Sequence, residues 1–135
     1  MVDTSAWALA QRLPDLREEL ARRASANAVW ICHPVMLELL HSARNADEFA
    51  AIRSECARYP RVDVDAVVWE RALDVNEQMA RQGGTHHRRV RHPDLLIAAA
   101  AELAGAPVLH YDEDYDRIAA VTGQPTQWVR PRGSL

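Results

Sequence analysis

Leu13, Leu16 and Leu20 recur at helical spacing between charged neighbours, which marks an amphipathic helix with Arg17, Glu18, Glu19, Arg22 and Arg23 on its outer face. The run Ala28 to Cys32 is instead continuously apolar, with β-branched and aromatic members, and reads as a buried strand. Pro34 follows where a helix can start, so Val35 to Ala43 is predicted helical. A second helix runs from Asn45 to Tyr59, with Phe49, Ile52, Cys56 and Tyr59 on one stripe and Pro60 as its stop. From Asp65 to Gln82 a long helix turns Val68, Ala72, Val75 and Met79 inward and ends at Gly83-Gly84. A polar loop leads through His92. Pro93 then suits a first helical position, Asp94 lies in the first turn, and Leu95 to Ala104 is almost wholly apolar, as in a buried helix closed by Gly105 and Pro107. Val108 to His110 is a short strand, Tyr115 to Val121 a closing helix stopped by Gly123, and Thr126 to Val129 a last strand. At the start, Val2 to Trp7 reads as a strand turning into a helix, although only two apolar residues precede Asp3.

Strands alternating with helices predict the α/β class: a central parallel sheet covered by helices on both faces. With 135 residues the chain is expected to form one domain, 1–135. Its 48% hydrophobic content is enough for a real core and excludes a disordered segment. No stretch approaches the ~20 apolar residues of a membrane span, and the first residues lack the pattern of a secretory signal, so a cytoplasmic protein is expected. Cys32 and Cys56 each sit within an apolar pattern, which fits buried reduced thiols and speaks against redox chemistry.

The net charge of −3 means that any contact with nucleic acid must come from a local patch. All basic residues are arginine, and Arg88, Arg89 and Arg91 crowd one segment with His86, His87 and His92. They are candidates to guide a phosphate backbone, or else an ordinary solvated loop. The carboxylates are more telling, because parallel sheets place ligand sites at the carboxyl ends of their strands. Asp3 follows the first strand, Glu38 lies one turn into the next helix, Asp94 opens the buried helix, and Asp112 and Asp114 follow the strand at Val108. A hard cation such as Mg²⁺ takes oxygen ligands and keeps several waters, so convergent carboxylates suggest a metal site. Taken singly, Asp94 has another use as a partner for the helix dipole, and Asp112, Asp114 and Asp116 as solvated loop residues, Asp116 being expected to be only that. Glu38 between Leu37, Leu39 and Leu40 needs a partner or a metal.

Other motifs fail on spacing. Asp112, Asp114 and Asp116 begin like a calcium-binding loop, but Arg117 and Gly123 stand where glycine and glutamate are required. Glu38 and His41 form only half of a di-iron signature, the histidine cluster has no cysteine near it in sequence, and there is neither a phosphate-cradling glycine loop nor a Gly-x-Ser-x-Gly elbow.

Asp3-Thr4-Ser5-Ala6-Trp7, the segment Pro34 to Leu40, Asp94 to Ala101 and Val108 to Ala119 together resemble a PIN domain, and most of all the VapC-type ribonuclease toxins of bacterial toxin–antitoxin pairs. The resemblance spans essentially the whole chain. It implies a three-layer α/β/α fold and a metal-dependent endoribonuclease using Mg²⁺ or Mn²⁺. Asp3 and Asp94 are then the main metal ligands, with Glu38, Asp112 and Asp114 completing a catalytic acidic pocket. Ser5 matches a small polar position at that pocket, and Arg88, Arg89 and Arg91 stand, from their charge and not from the resemblance, as candidates to bind the substrate backbone beside their reading as a solvated loop. Single-stranded or looped RNA as substrate, an antitoxin of the VapB kind and a homodimer are the implied partners. His110 and Tyr115 depart from the more usual threonine or asparagine and phenylalanine, and Val35 from a hydroxyl residue. The rival reading is a non-catalytic PIN-like module that uses the acids to bind metal or a partner; such modules usually lose acids, and this chain retains them. A phosphatase with an aspartate nucleophile is weaker still, since Asp3 is followed by Thr4-Ser5 instead of the Asp-x-Asp it needs.

Overall fold

The computed structural model describes residues 1–135. Its elements in chain order are α1 (Thr4–Arg12), α2 (Pro14–Ser25), β1 (Ile31–Cys32), α3 (His33–His41), α4 (Ala46–Cys56), β2 (Arg61–Val62), α5 (Ala66–Arg81), α6 (His86–Arg89), α7 (His92–Leu103), β3 (Val108–His110), α8 (Asp114–Thr122) and β4 (Thr126–Trp128). β1 pairs in parallel with β2, and β3 with β4. The N-terminal segment joins the two pairs into one layer. Val2 forms a parallel bridge with Leu109, its N–H donates to the Trp30 carbonyl at 3.0 Å, and the Asp3 N–H donates to the Leu109 carbonyl at 2.9 Å. The spatial order is therefore β2, β1, the N-terminal segment, β3, β4.

Successive residues of a strand face opposite sides of a sheet, and the core follows that rule. Val108 belongs to the larger apolar cluster, with α5, α7 and α8 residues such as Val75, Met79, Ile97 and Ile118. Leu109 belongs to the smaller cluster with Ala6, Ala10, Leu16 and Leu20 of α1 and α2. Helices thus cover both faces of a central parallel sheet, which is the expected α/β/α architecture.

Local chemistry explains most element ends. Pro14 forces Leu13 into an extended conformation, so α1 and α2 are separate helices and Leu13 caps the second. Asp65 accepts from the N–H groups of Val67 (3.0 Å) and Val68 (3.1 Å) and so starts α5. Gly123, in the left-handed region at φ 69°, ends α8. No helix is long and apolar enough to cross a membrane.

Four expectations need correction. The strand predicted over Ala28 to Cys32 is confined to Ile31–Cys32, because the Ala28 N–H is still used at the end of α2, donating to Arg23 at 2.9 Å. The edge strand β2 was not expected; two residues carry too little periodicity to be read. The polar loop before His92 contains the short helix α6. Finally, Phe49 is exposed, whereas Cys56 of the same predicted stripe is buried.

Candidate active site

Each acidic residue is placed by a different element, and backbone geometry decides where it points. Asp3 leaves the sheet and caps α1: one oxygen accepts the Ser5 N–H at 2.8 Å and the Ser5 hydroxyl, while the other accepts the Tyr115 hydroxyl at 2.7 Å. Asp94 sits in the first turn of α7 and is wholly buried, along with every residue from Leu95 to Ala101. Asp112 lies in the turn after β3, its carboxylate accepting the Asp114 N–H at 2.9 Å and its own N–H donating to His110 Nδ1 at 3.2 Å. Asp114 opens α8 and is paired with Arg117. Glu38, on α3, accepts the Thr4 hydroxyl at 2.6 Å.

These placements converge. One carboxylate oxygen from each of Asp94, Asp112 and Asp114 lies within 4.8 Å of the others. Asp3 and Glu38 stand around that trio, tied to it by shared partners. The Ser5 hydroxyl bonds Asp3 and accepts the Tyr111 N–H at 2.8 Å, holding the start of α1 to the turn that carries Asp112. Arg91 lies between Asp94 and Glu38, donating to Asp94 Oδ2 at 3.0 Å and Oδ1 at 2.9 Å and to Glu38 Oε1 at 3.2 Å. A cleft of about 660 Å³ adjoins the pocket on the side of Glu38 and Arg91, lined by Thr4, Ser5, Ala8, Leu37, Glu38, His41 and Arg91; Asp3, Asp94, Asp112 and Asp114 lie behind that wall.

Burial dominates the electrostatics. The Asp94 carboxyl is pushed up to about 7 by loss of solvent; the charge and hydrogen bonds of Arg91 pull the other way, and the charges of Asp3 and Asp112 push it up further. Tyr115, fully buried beside Asp3 and Asp94, is held well above the ordinary phenol range by burial first and those charges second, so it remains an O–H donor. Burial pushes the Cys32 thiol up to about 11, and both cysteines are free, so neither is a nucleophile near neutral pH. Burial likewise lowers the His110 pKa, and its Nδ1 accepts a hydrogen bond, so the neutral ring carries its proton on Nε2.

Arg88, Arg89 and Arg91 form one group in the sequence, and the structure divides them. Arg91 reaches into the pocket, whereas Arg88 and Arg89 are exposed on α6 and take part in no ion pair. Asp116 is more than a solvated residue: it accepts the Trp128 indole N–H at 3.0 Å and helps seat β4. Two further site residues were not singled out by sequence pattern. Arg117 had a legible signal, since it stands one turn beyond Glu113 and Asp114 and pairs with both. Thr4 had none, because its partner Glu38 lies 34 positions away.

As a donor set, the trio is all carboxylate oxygen, and it is assembled at short range by backbone that is itself hydrogen-bonded. That chemistry fits a hard divalent cation with retained waters.

A second concavity, about 400 Å³, is apolar. It lies between α1, α2, α3 and α4, lined by Trp7, Leu20, Leu39, Ile52 and Tyr59 among others.

Comparison with known proteins yields concordant likenesses. Residues 1–121 match the PIN domain family. Over 99% of its length the chain is 48% identical to ribonuclease VapC18 of Mycobacterium tuberculosis, covering 97% of that protein. It is 38% identical to ribonuclease VapC51 of the same organism, over 100% of this chain and 96% of the relative. Among solved structures, DNA-bound VapBC from Salmonella typhimurium superposes with a TM-score of 0.77 over 96% of this chain and 97% of the other, at 19% identity. At that identity the superposition speaks for the fold alone.

Proposed function

Since this chain belongs to the PIN-domain family, in its VapC-type branch, we propose that it is a metal-dependent endoribonuclease acting as the toxin of a toxin–antitoxin pair. The observation that carries the reading is the convergence of Asp94, Asp112 and Asp114 within 4.8 Å, with Asp3 beside them and Glu38 on the wall of the adjoining cleft. Mg²⁺ or Mn²⁺ would be held by Asp94 and Asp3, directly or through water, with Asp112 and Asp114 completing the shell. When bound, such a cation supplies charge neutralisation at the phosphate and activation of water.

The chain's own residues do the rest. Tyr115 and Ser5 fix the Asp3 carboxylate by donating to its two oxygens, so its lone pairs face a fixed direction. His110 holds the turn that presents Asp112. Glu38, kept in place by Thr4, is the carboxylate positioned on the cleft side to orient a water against the phosphorus. Water oxygen bonds to phosphorus, the bond to the 3′ oxygen breaks, and that oxygen leaves with a proton, giving a 5′-phosphate and a 3′-hydroxyl. Single-stranded or looped RNA suits an open cleft, and Arg88 and Arg89 would follow its backbone.

Two partners belong to the proposal. A VapB-like antitoxin is supported by the apolar cavity between α1 and α4, which suits a protein segment better than a polyanion. A homodimer is supported by Trp69 and Leu73, one turn apart on α5 and 52% and 58% exposed, a pair better placed against a second copy than against water.

The test is purified protein incubated with RNA in Mg²⁺, Mn²⁺ or chelator, beside Asp94→Asn. Cleavage by wild type with metal, reduced by about 10² or more in the mutant and absent in chelator, is the expected outcome. A folded Asp94→Asn that cleaves like wild type overturns the catalytic assignment.

A further inference from the structure

Arg91 is bonded to acids from two different helices, yet its own side chain is 55% exposed, while those of Asp94 and Glu38 are 0% and 21% exposed. Its fork takes both oxygens of Asp94 and one of Glu38. The remaining acids are held differently. Asp3 is bonded by the neutral groups of Ser5 and Tyr115, and Asp112 by a backbone N–H. Positive charge is thus placed on Glu38 and Asp94, and through Arg117 on Asp114 at the far side.

A bidentate guanidinium and a hard cation want the same lone pairs of Asp94, and the two positive charges repel. We infer that Arg91 is the built-in counter-ion of this pocket, a gate that neutralises Asp94 and Glu38 until a divalent cation arrives and that must release Asp94 for the cation to bind. The inference rests on the metal-site reading above. Local structure makes the release simple. Arg91 is the extended residue just before α7, anchored by the buried Val90, and its side chain lines the open cleft. Rotation about side-chain bonds carries the guanidinium outward with no change in the backbone.

A purely structural ion pair joining α3 to α7 would look the same in a still picture, but it behaves differently on titration. Its loss would lower stability and leave cation affinity alone, whereas loss of a gate lowers apo stability and raises affinity. Mn²⁺ is therefore titrated calorimetrically, without RNA and at about pH 8, into wild type, Arg91→Met and Arg91→Lys, with melts of each in chelator. Arg91→Met is expected to melt lower than wild type in chelator yet bind Mn²⁺ about tenfold tighter, in line with the net worth of charge-assisted hydrogen bonds. Arg91→Lys should fall between, because one ammonium cannot hold both oxygens of Asp94. Should Arg91→Met fail to fold, Arg91→Lys decides alone and must bind severalfold tighter than wild type. Equal or weaker Mn²⁺ binding in the mutants overturns the gate and leaves the metal site standing. Binding to none of the three overturns the metal reading and the gate with it.

Discussion

Asp94 shows how one residue couples the site to stability. Burial raises its folded-state pKa to about 7, against an unfolded value of ~3.9, so the native state holds the proton more tightly than the unfolded chain does. Its contribution is fully present below about pH 4 and is lost as pH rises through about 7. Melting temperature in chelator should therefore fall across that interval. Asp94→Asn, which cannot ionise, should match wild type in acid and melt higher by about 5 °C near pH 8. A mutant that melts lower than wild type at pH 8 would mean that Arg91 more than offsets the burial. Tyr115→Phe tests a second buried carboxylate, Asp3. Removing its hydroxyl leaves Asp3 Oδ1 without that donor and should lower stability in urea by about 1 to 2 kcal/mol, while the fold survives because the ring still packs in the core.

In the proposed reaction two adjacent elements, α6 and α7, would divide binding from chemistry. Helix α7 is sunk into the core over Asp94 to Ala101, so its first turn is a fixed platform for the carboxylate to which the proposal assigns the metal. Helix α6 has no buried residue and presents Arg88 and Arg89 to solvent. Replacing both by alanine should weaken RNA binding and lower the slope of log affinity against log salt by roughly 0.7 for each phosphate that an arginine no longer neutralises. Since neither arginine bonds a pocket acid, Mn²⁺ affinity should not change. An unaltered slope would remove α6 from the RNA path.

At the scale of the molecule, a cation that binds only the native state adds stability by mass action, about 1.4 kcal/mol at ten times its dissociation constant. Wild type should gain that increment in Mn²⁺ at about pH 8 and Asp94→Asn little of it; equal gains in both would mean that the cation binds elsewhere. The proposed dimer makes a separate prediction. Trp69→Glu with Leu73→Glu should shift the sedimenting species to monomer without loss of helix content, because both side chains are exposed in the single chain. A dimer that persists in this double mutant would move the interface off α5.

The alternation of strands and helices, the buried helix after Pro93 and the five candidate carboxylates, past strands or in the early turns of helices, were all legible from residue order, because period, capping and end signals act over a few neighbouring positions. Short strands were the weak point: β2, with two residues, exists because β1 lies beside it and not because of any preference of Arg61 or Val62. The same holds for the site. Sequence supplied which acids to watch, since each sits just past a strand or in the early turns of a helix. Which of them share a pocket, that Ser5 ties α1 to the turn before Asp112, that Thr4 holds Glu38 and that Arg91 leaves its basic neighbours to bridge Glu38 and Asp94 depend on separations of up to 106 positions along the chain. Local pattern carries no information about how segments so far apart will meet. They come together when apolar burial brings α1, α3, α7 and the β3–α8 turn to one edge of the sheet, and only there do five acids and the guanidinium groups of Arg91 and Arg117 become neighbours.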